Sequence, residues 1–150
     1  MQKFVFKFET LLKFRKSQRD LCLQQVAQVL DADRSMQVER ASLEQNRLEQ
    51  LDQIRKLGQA GELDVDRTAS RRLYAVQLSS EIRLVEHKRH ELARLLEGSR
   101  QALVKADQEV KVLEKLKEKQ WAEFLYAQER KTARELDEVW LATHAGEYAK

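Results

Sequence analysis

The chain has no proline among its 150 residues. Proline breaks the interior of a helix because its ring removes a backbone donor and clashes with the preceding turn. An average chain of this length would contain roughly seven prolines, so their absence indicates a chain that is helical almost throughout. Charged residues make up 35% of the sequence, which is typical of long solvated helices rather than of a compact globule. We therefore predict an all-α fold.

The second half of the sequence carries a long apolar stripe. Its apolar residues recur at alternating spacings of three and four, which is the pattern of a coiled coil. A stripe kept over this length predicts a helix that packs against another helix along most of its course. The residues that define the stripe are Leu78, Ile82, Val85, Leu92, Leu96, Leu103, Ala106, Val110, Leu113, Phe124 and Ala127.

The first half carries a weaker stripe with the same spacing. Arginines occupy several of its positions, where they can bury their methylene stems and keep the charge in water. The pattern still predicts a helix, although the seam is less regular than in the second half. Its apolar members are Phe8, Leu12, Cys22, Val26, Val29, Met36, Leu43, Ile54 and Leu57.

A turn is expected where the two stripes meet, within about residues 58–70. Gly58 and Gly61 can end a helix by adopting left-handed backbone angles, and Asp64 or Asp66 can cap the next helix. These residues would be poor choices for the continuous seam of a parallel homodimeric rod. The alternative interpretation of the sequence is nevertheless such a homodimeric rod, which would act as a structural spacer and have no ATPase partner.

The predicted architecture is a single domain, a long two-helix antiparallel coiled-coil hairpin. Its first arm covers about residues 5–60 and its second arm about residues 67–144, and we expect the C-terminus to fray after Gly146. The chain alone is expected to be a monomer. Cys22 is the only cysteine, which indicates a reducing compartment, and we expect a soluble cytoplasmic protein without direct insertion into the membrane.

The stripes leave the register of the hairpin open between two alternatives. One register pairs Cys22 with Val110 and Phe8 with Phe124. The other pairs Cys22 with Leu103. The first register forms more layers in which both residues are apolar, so it is the one we predict.

No group of residues in the sequence indicates catalysis. His87 and His90 have a spacing that can hold a metal on one helical face, but the stripe places both on the outer, solvated face. Cys22 lies on the seam, where a small apolar side chain fits, and no motif supplies it with a base. A glycine-rich phosphate loop is absent from the sequence. We expect a chain that is not an enzyme and needs no metal or cofactor.

A short basic cluster near the expected turn is the main candidate for phosphate or nucleic-acid binding. It consists of Arg67, Arg71 and Arg72, but Asp64 and Asp66 balance its charge. Across the chain the formal net charge is only +3, with bases and acids interleaved. This pattern is typical of a solvated helical surface and argues against a nucleic-acid partner.

The aromatic residues are concentrated near the two ends of the sequence. In an antiparallel hairpin these ends meet, so nine of the ten aromatic residues would gather at the open end opposite the turn. Aromatic side chains are favoured anchors of protein interfaces because they bury a large area with few torsions to freeze. They could also simply hold the open end together. The residues predicted to bind a partner are Phe8, Phe14, Trp121, Phe124 and Tyr126.

The run from Phe4 to Arg15 resembles the opening of the FliJ family of bacterial flagellar export proteins. It has the alternating phenylalanines, the Leu11-Leu12 pair and the following arginine that begin members of that family. The later segments 113–120 and 135–138 are similar to its C-terminal half. The length, the lack of proline and the glycines near residue 60 also agree, so the resemblance covers the whole chain.

This resemblance implies a small coiled-coil component of the flagellar type III export apparatus. Members of the family look like the central stalk of rotary ATPases, and their paired ends enter the pore of the hexameric export ATPase. They also contact the export gate protein at the inner membrane and bind export chaperones. The implied location is the cytoplasmic face of the inner membrane, with peripheral association through the export apparatus.

Overall fold

The computed structural model describes residues 3–61 and 64–145. It contains two α-helices, α1 (Glu9–Gln59) and α2 (Val65–His144). The two helices pack against each other, and the described residues include no strand. The predicted all-α fold of two long packed helices is confirmed. The predicted fraying after Gly146 concerns residues outside the described ones.

Neither helix is long and apolar enough, within the described residues, to cross a membrane.

The ends of the helices follow from local chemistry. Gly61 adopts a φ of 75° just after α1, a left-handed conformation that suits glycine and stops a helix. At the start of α2 the backbone N–H of Arg67 donates to Asp64 Oδ1 at 3.1 Å. This bond satisfies one of the free donors of the first turn, so Asp64 is the N-cap. The roles predicted for Gly61 and Asp64 are confirmed, while residues 62 and 63 of the expected turn are not described.

The chain divides into two compact units. The first, which we call the terminal unit, comprises residues 1–19 and 105–150, of which 3–19 and 105–145 are described. The second, the central unit, comprises residues 20–104, of which 62 and 63 are outside the description. Each unit contains a stretch of α1 and a stretch of α2.

The central unit buries a seam of aliphatic side chains. The seam follows the phase predicted from the sequence, because residues at alternating spacings of three and four turn to the same side of a helix. Leu78 is the most completely buried of these side chains, with 2% of its surface exposed. The buried members are Val26, Val29, Ala75, Leu78, Ile82 and Val85.

Polar contacts across the central unit show that its two helical stretches are antiparallel. Arg89 Nε donates to Asp33 Oδ1 at 2.9 Å, and Arg40 Nε donates to Glu86 Oε1 at 2.8 Å. Further towards the turn, Arg71 donates to Gln50 at 3.0 Å. Residue numbers rise along α1 while those of the partners fall along α2, which is the order expected in a hairpin.

The terminal unit has a small core of its own. Phe6, Leu12 and Val110 are buried together, and Val110 has no exposed surface. Leu113 and Leu116 pack against this group. Residues 3–8 precede α1, so Phe6 reaches the core from a non-helical segment rather than from the seam.

The register in the terminal unit differs from the predicted one. The predicted register would place Arg15 opposite Lys117, so that two positive charges would face each other. Instead Lys117 Nζ lies 2.7 Å from Glu9 Oε2, and Arg15 forms an ion pair with Glu109. Each partner is therefore about one heptad away from its predicted position.

The central unit is displaced in the same direction, by ten residues for the partner of Asp33. The predicted register matches Asp33 with Ser99, whereas Asp33 accepts hydrogen bonds from Arg89. The register chosen for its larger number of apolar layers is therefore wrong in both units. The observed contacts agree, within a few residues, with the alternative register that pairs Cys22 with Leu103. In the observed register, opposite charges meet across the seam.

Candidate functional site

The terminal unit holds a cluster of three aromatic rings, which we call the aromatic cluster. The ring of Phe4 meets Trp121 edge-on with centroids 5.1 Å apart, and lies 5.6 Å from Phe124. Trp121 and Phe124 are one turn apart on α2 and stack at 5.8 Å with an interplanar angle of 25°. Offset and edge-on rings at these distances attract each other beyond the area that they bury.

A second pair of rings adjoins the small core of the terminal unit. Phe6 is buried, and Phe8 meets it edge-on with centroids 5.9 Å apart. The Lys117 ammonium lies 5.8 Å from the centre of the Phe6 ring, within the range of a cation–π contact. Phe8 ends the non-helical segment and its carbonyl accepts from Leu12 N at 2.9 Å, which fixes it at the start of α1.

Ion pairs flank the apolar contacts of this unit. Lys16 Nζ lies 2.9 Å from Glu114 Oε1, and the Lys117 ammonium bonds Glu9. The hydrogen bond from Lys117 holds the pKa of the Glu9 carboxyl below its usual value of 4.5. Since these groups are partly exposed, the pairs mainly fix the register and add little stability.

An open groove of about 610 Å³ lies between these charges and the aromatic cluster. Apolar and charged side chains line it together, a combination that suits an apolar side chain carried by a protein partner. The residues that line the groove are Phe4, Leu12, Lys16, Glu114, Lys117, Glu118 and Trp121.

All five residues predicted to bind a partner lie in the terminal unit, but the structure brings only two of them together. Trp121 and Phe124 belong to the aromatic cluster. Phe14 is 54% exposed and, within the described part of the chain, makes no ring contact. Tyr126 is 62% exposed and lies beside the guanidinium of Arg130. Phe8 is 37% exposed and contacts Phe6 instead of the predicted Phe124.

The prediction missed the parts played by Phe4 and Phe6. Phe4 links the segment before α1 to α2 through Trp121 and Phe124, and Phe6 is the buried ring of the unit. Neither is among the five residues predicted to bind a partner, and the first arm predicted from the sequence begins at about residue 5, whereas α1 begins at Glu9. The strict alternation of Phe4, Phe6 and Phe8 was the signal of a non-helical, extended segment, since its period is two rather than 3.6.

The other candidates from the sequence lie in the central unit. His87 Nε2 is 3.4 Å from Glu91 Oε1, and both side chains are exposed. In residues 3–61 and 64–145 no three His, Cys, Asp or Glu side chains are placed to share a metal ion. Cys22 is half-buried. Arg71 of the basic cluster is directed to Gln50 of α1 rather than to solvent.

The sequence matches the family model described as "Flagellar FliJ protein" over residues 3–147. Neither the curated proteins nor the solved structures include a match. The family match covers nearly the whole chain, including both units and the aromatic cluster. It agrees with the resemblance carried by the N-terminal run and implies a role in flagellar protein export. The chain belongs to the FliJ family.

Proposed function

We propose that this chain is a stalk-like, non-enzymatic component of the flagellar export apparatus that binds the hexameric export ATPase through the terminal unit. Family membership supports the export role. The observation that supports the binding surface is the exposure of large aromatic side chains beside the small core. Phe14, Trp121 and Tyr126 each leave about half of their surface or more in solvent, which is unusual for residues that serve only internal packing.

The wider role that we propose includes the export gate protein and export chaperones as further partners. Through them the chain would act at the cytoplasmic face of the inner membrane. We propose that the free chain is a monomeric hairpin, because each stretch of α1 already has its partner on α2 of the same chain. Light scattering should then give a mass of 17.7 kDa, and a mass twice as large would favour the homodimeric spacer.

A double variant, Phe14→Ala with Trp121→Ala, tests the binding surface. Interface anchors cut to alanine typically cost about 2 kcal/mol or more, so affinity for the ATPase hexamer should fall roughly thirtyfold. Titration of the purified hexamer with labelled chain measures this loss, and circular dichroism monitors helix content.

The matched control is Leu23→Ala with Leu84→Ala, which removes two exposed apolar side chains of the central unit. Its affinity should stay within about a factor of two of the unaltered chain, since rim and off-interface residues contribute little. Equal affinity of the control and of the Phe14/Trp121 variant, with unchanged helix content, would rule out the terminal unit as the contact.

The proposed lack of enzymatic activity has a separate test. The purified chain should not hydrolyse ATP by itself, while it should alter turnover by the hexamer. ATP turnover that persists through purification and changes when a residue of this chain is replaced would contradict the proposal.

A further inference from the structure

The last part of α2 has an apolar face whose only described ring contact within 129–145 is the stacking of His144 on Trp140, with centroids 4.7 Å apart. Residues 129–143 are all exposed, yet they include large apolar side chains. Leu136 is 65% exposed and Trp140 is 54% exposed. Single exposed apolar residues are ordinary, but several on one side of a helix indicate an interaction surface.

These apolar residues share one side of the helix. At 3.6 residues per turn they lie within an arc of roughly 140°. Six of the seven charged residues of 129–143 lie outside that arc: Arg130, Lys131, Arg134, Glu135, Asp137 and Glu138. We call the arc the distal face, and its apolar members are Leu125, Tyr126, Ala133, Leu136, Val139 and Trp140.

The distal face is not a continuation of the internal seam. The seam passes through Phe124 and Ala127, and its next positions along α2 are Lys131, Arg134 and Glu138. The distal face lies on nearly the opposite side of the helix. Residues 129–143 are exposed on the seam side as well, so in this stretch the distal face differs from the seam side in its apolar composition and not in its exposure.

The breadth of the face and its charges indicate a protein groove as its occupant. An arc of this width exceeds the narrow seam of a two-stranded coiled coil and suits a helix that lies in a groove. The polar side of the segment carries three basic and three acidic residues. An anionic membrane surface would instead favour a clear excess of bases.

Glu129 defines the chemistry of the partner more closely. It is the only charged residue within the distal face, where it lies beside Leu125, Tyr126 and Ala133. A carboxylate enclosed by an apolar contact is strongly unfavourable unless a cation meets it. The distal face itself contains no base, and Arg130 lies only at its edge, with its guanidinium beside the ring of Tyr126. A second copy of the same face would therefore offer a cation only at the rim and not opposite Glu129.

We propose that the distal face docks into an apolar groove that carries an arginine or lysine side chain facing Glu129. This inference rests on the proposed function, in which the groove belongs to the ring-shaped ATPase. It assigns the contact to one side of α2, and it identifies Glu129 as the residue that sets the position of the helix in the groove. A single charge within an apolar contact can fix register in this way.

The test uses the full chain and the purified ATPase hexamer. Glu129→Lys would place like charges face to face, so affinity should fall at least about tenfold. Glu138→Lys makes the same change in net charge on the opposite side of the helix, and its affinity should stay within about a factor of two. Both residues are exposed, so circular dichroism should show equal helix content for the two variants.

A second variant removes apolar area instead of charge. Leu136→Ala with Trp140→Ala should weaken binding roughly thirtyfold, as expected for interface anchors. If the unaltered chain binds but neither variant differs from Glu138→Lys, the distal face is not the contact and the proposed function still stands. Failure of the unaltered chain to bind would overturn both proposals. A dimer in light scattering that Leu136→Ala abolishes would show that a second copy covers the face.

Discussion

The central and terminal units use the same two helices in different ways. The central unit buries aliphatic seam residues such as Leu78 and Val85, and opposite charges meet across it. Tyr74 is its only aromatic residue. The terminal unit buries a smaller core, holds the aromatic cluster, and leaves Trp121 and the distal face partly or wholly exposed. Both units leave apolar side chains exposed, but those of the central unit are mainly aliphatic, such as Leu73 and Leu84, whereas those of the terminal unit include Phe14, Trp121 and Trp140.

The difference between the units shows that a regular coiled-coil stripe does not by itself identify the surface that binds a partner. The stripe of α2 continues in the terminal unit as far as Ala127, but a second apolar face lies on nearly the opposite side of the helix there. The unit whose exposed apolar side chains include tryptophans and phenylalanines is the one that we assign to binding. This assignment would be contradicted if replacing a residue of the central unit weakened binding as strongly as replacing one of the terminal unit.

The largest expected effect is on stability, from Leu78→Ala in the central unit. Leu78 is 2% exposed, so its truncation leaves a cavity and should lower the free energy of unfolding by about 2–5 kcal/mol. Leu84→Ala on the same helix is the control, because Leu84 is exposed and should change stability by less than about 0.5 kcal/mol. Urea unfolding measures both. Weakened ATPase binding by folded Leu78→Ala chain would contradict the division of roles.

A smaller effect is expected at the start of α2. Asp64 accepts the N–H of Arg67, and loss of an N-cap costs about 0.5–2 kcal/mol. Asp64→Ala should therefore destabilise the chain, with the loss measured by urea unfolding. Asp66→Ala should cost less, since Asp66 lies within the first turn and makes only a favourable dipole interaction there. Equal losses in the two variants would show that the cap does not act as described.

The sequence was sufficient to predict the seam but not the register. Leu78, Ile82, Val85 and Val110 are buried as their spacing predicts, because helical periodicity is a local property. Register is a property of two helices together, and it was chosen by matching apolar residues alone. The arginines on the first stripe were the neglected signal, since Arg40 meets Glu86 across the seam.

The sequence predicted that the aromatic residues gather near the two ends of the chain, but it did not predict which rings contact each other. The positions of the aromatic residues near both ends of the sequence were enough to place Phe8 and Phe14 in one unit with Trp121. They could not reveal that α1 starts only at Glu9, so the contacts of Phe4 and Phe6 were missed. The distal face was missed because only the phase of the seam was followed along α2.

The smallest expected effect concerns the ion pair across the central unit. The hydrogen bond from Arg89 holds the pKa of the Asp33 carboxyl below its usual value of 3.8. A carboxyl with a lowered pKa stabilises the fold above its unfolded-state pKa, and this contribution is lost as pH falls through the lowered value. Asp33→Asn should therefore be less stable than the unaltered chain near pH 6, and the difference should shrink below a pH of about 3.8.

Urea unfolding at several pH values measures this difference, with Asp31→Asn as the control on the exposed side of the same helix. The control should show little change with pH relative to the unaltered chain. A stability difference for Asp33→Asn that is constant from neutral to acidic pH would mean that the ion pair does not act through the charge of Asp33.

Hydrogen exchange of the chain with and without the ATPase hexamer tests the division of roles most directly. We expect slower exchange on binding in α1 near Phe14 and in α2 from Trp121 through Trp140, because an interface excludes solvent from the backbone and holds the helix against opening. Exchange in the central unit between residues 26 and 90 should stay unchanged. Slower exchange confined to the central unit, with none near Trp121, would contradict the account.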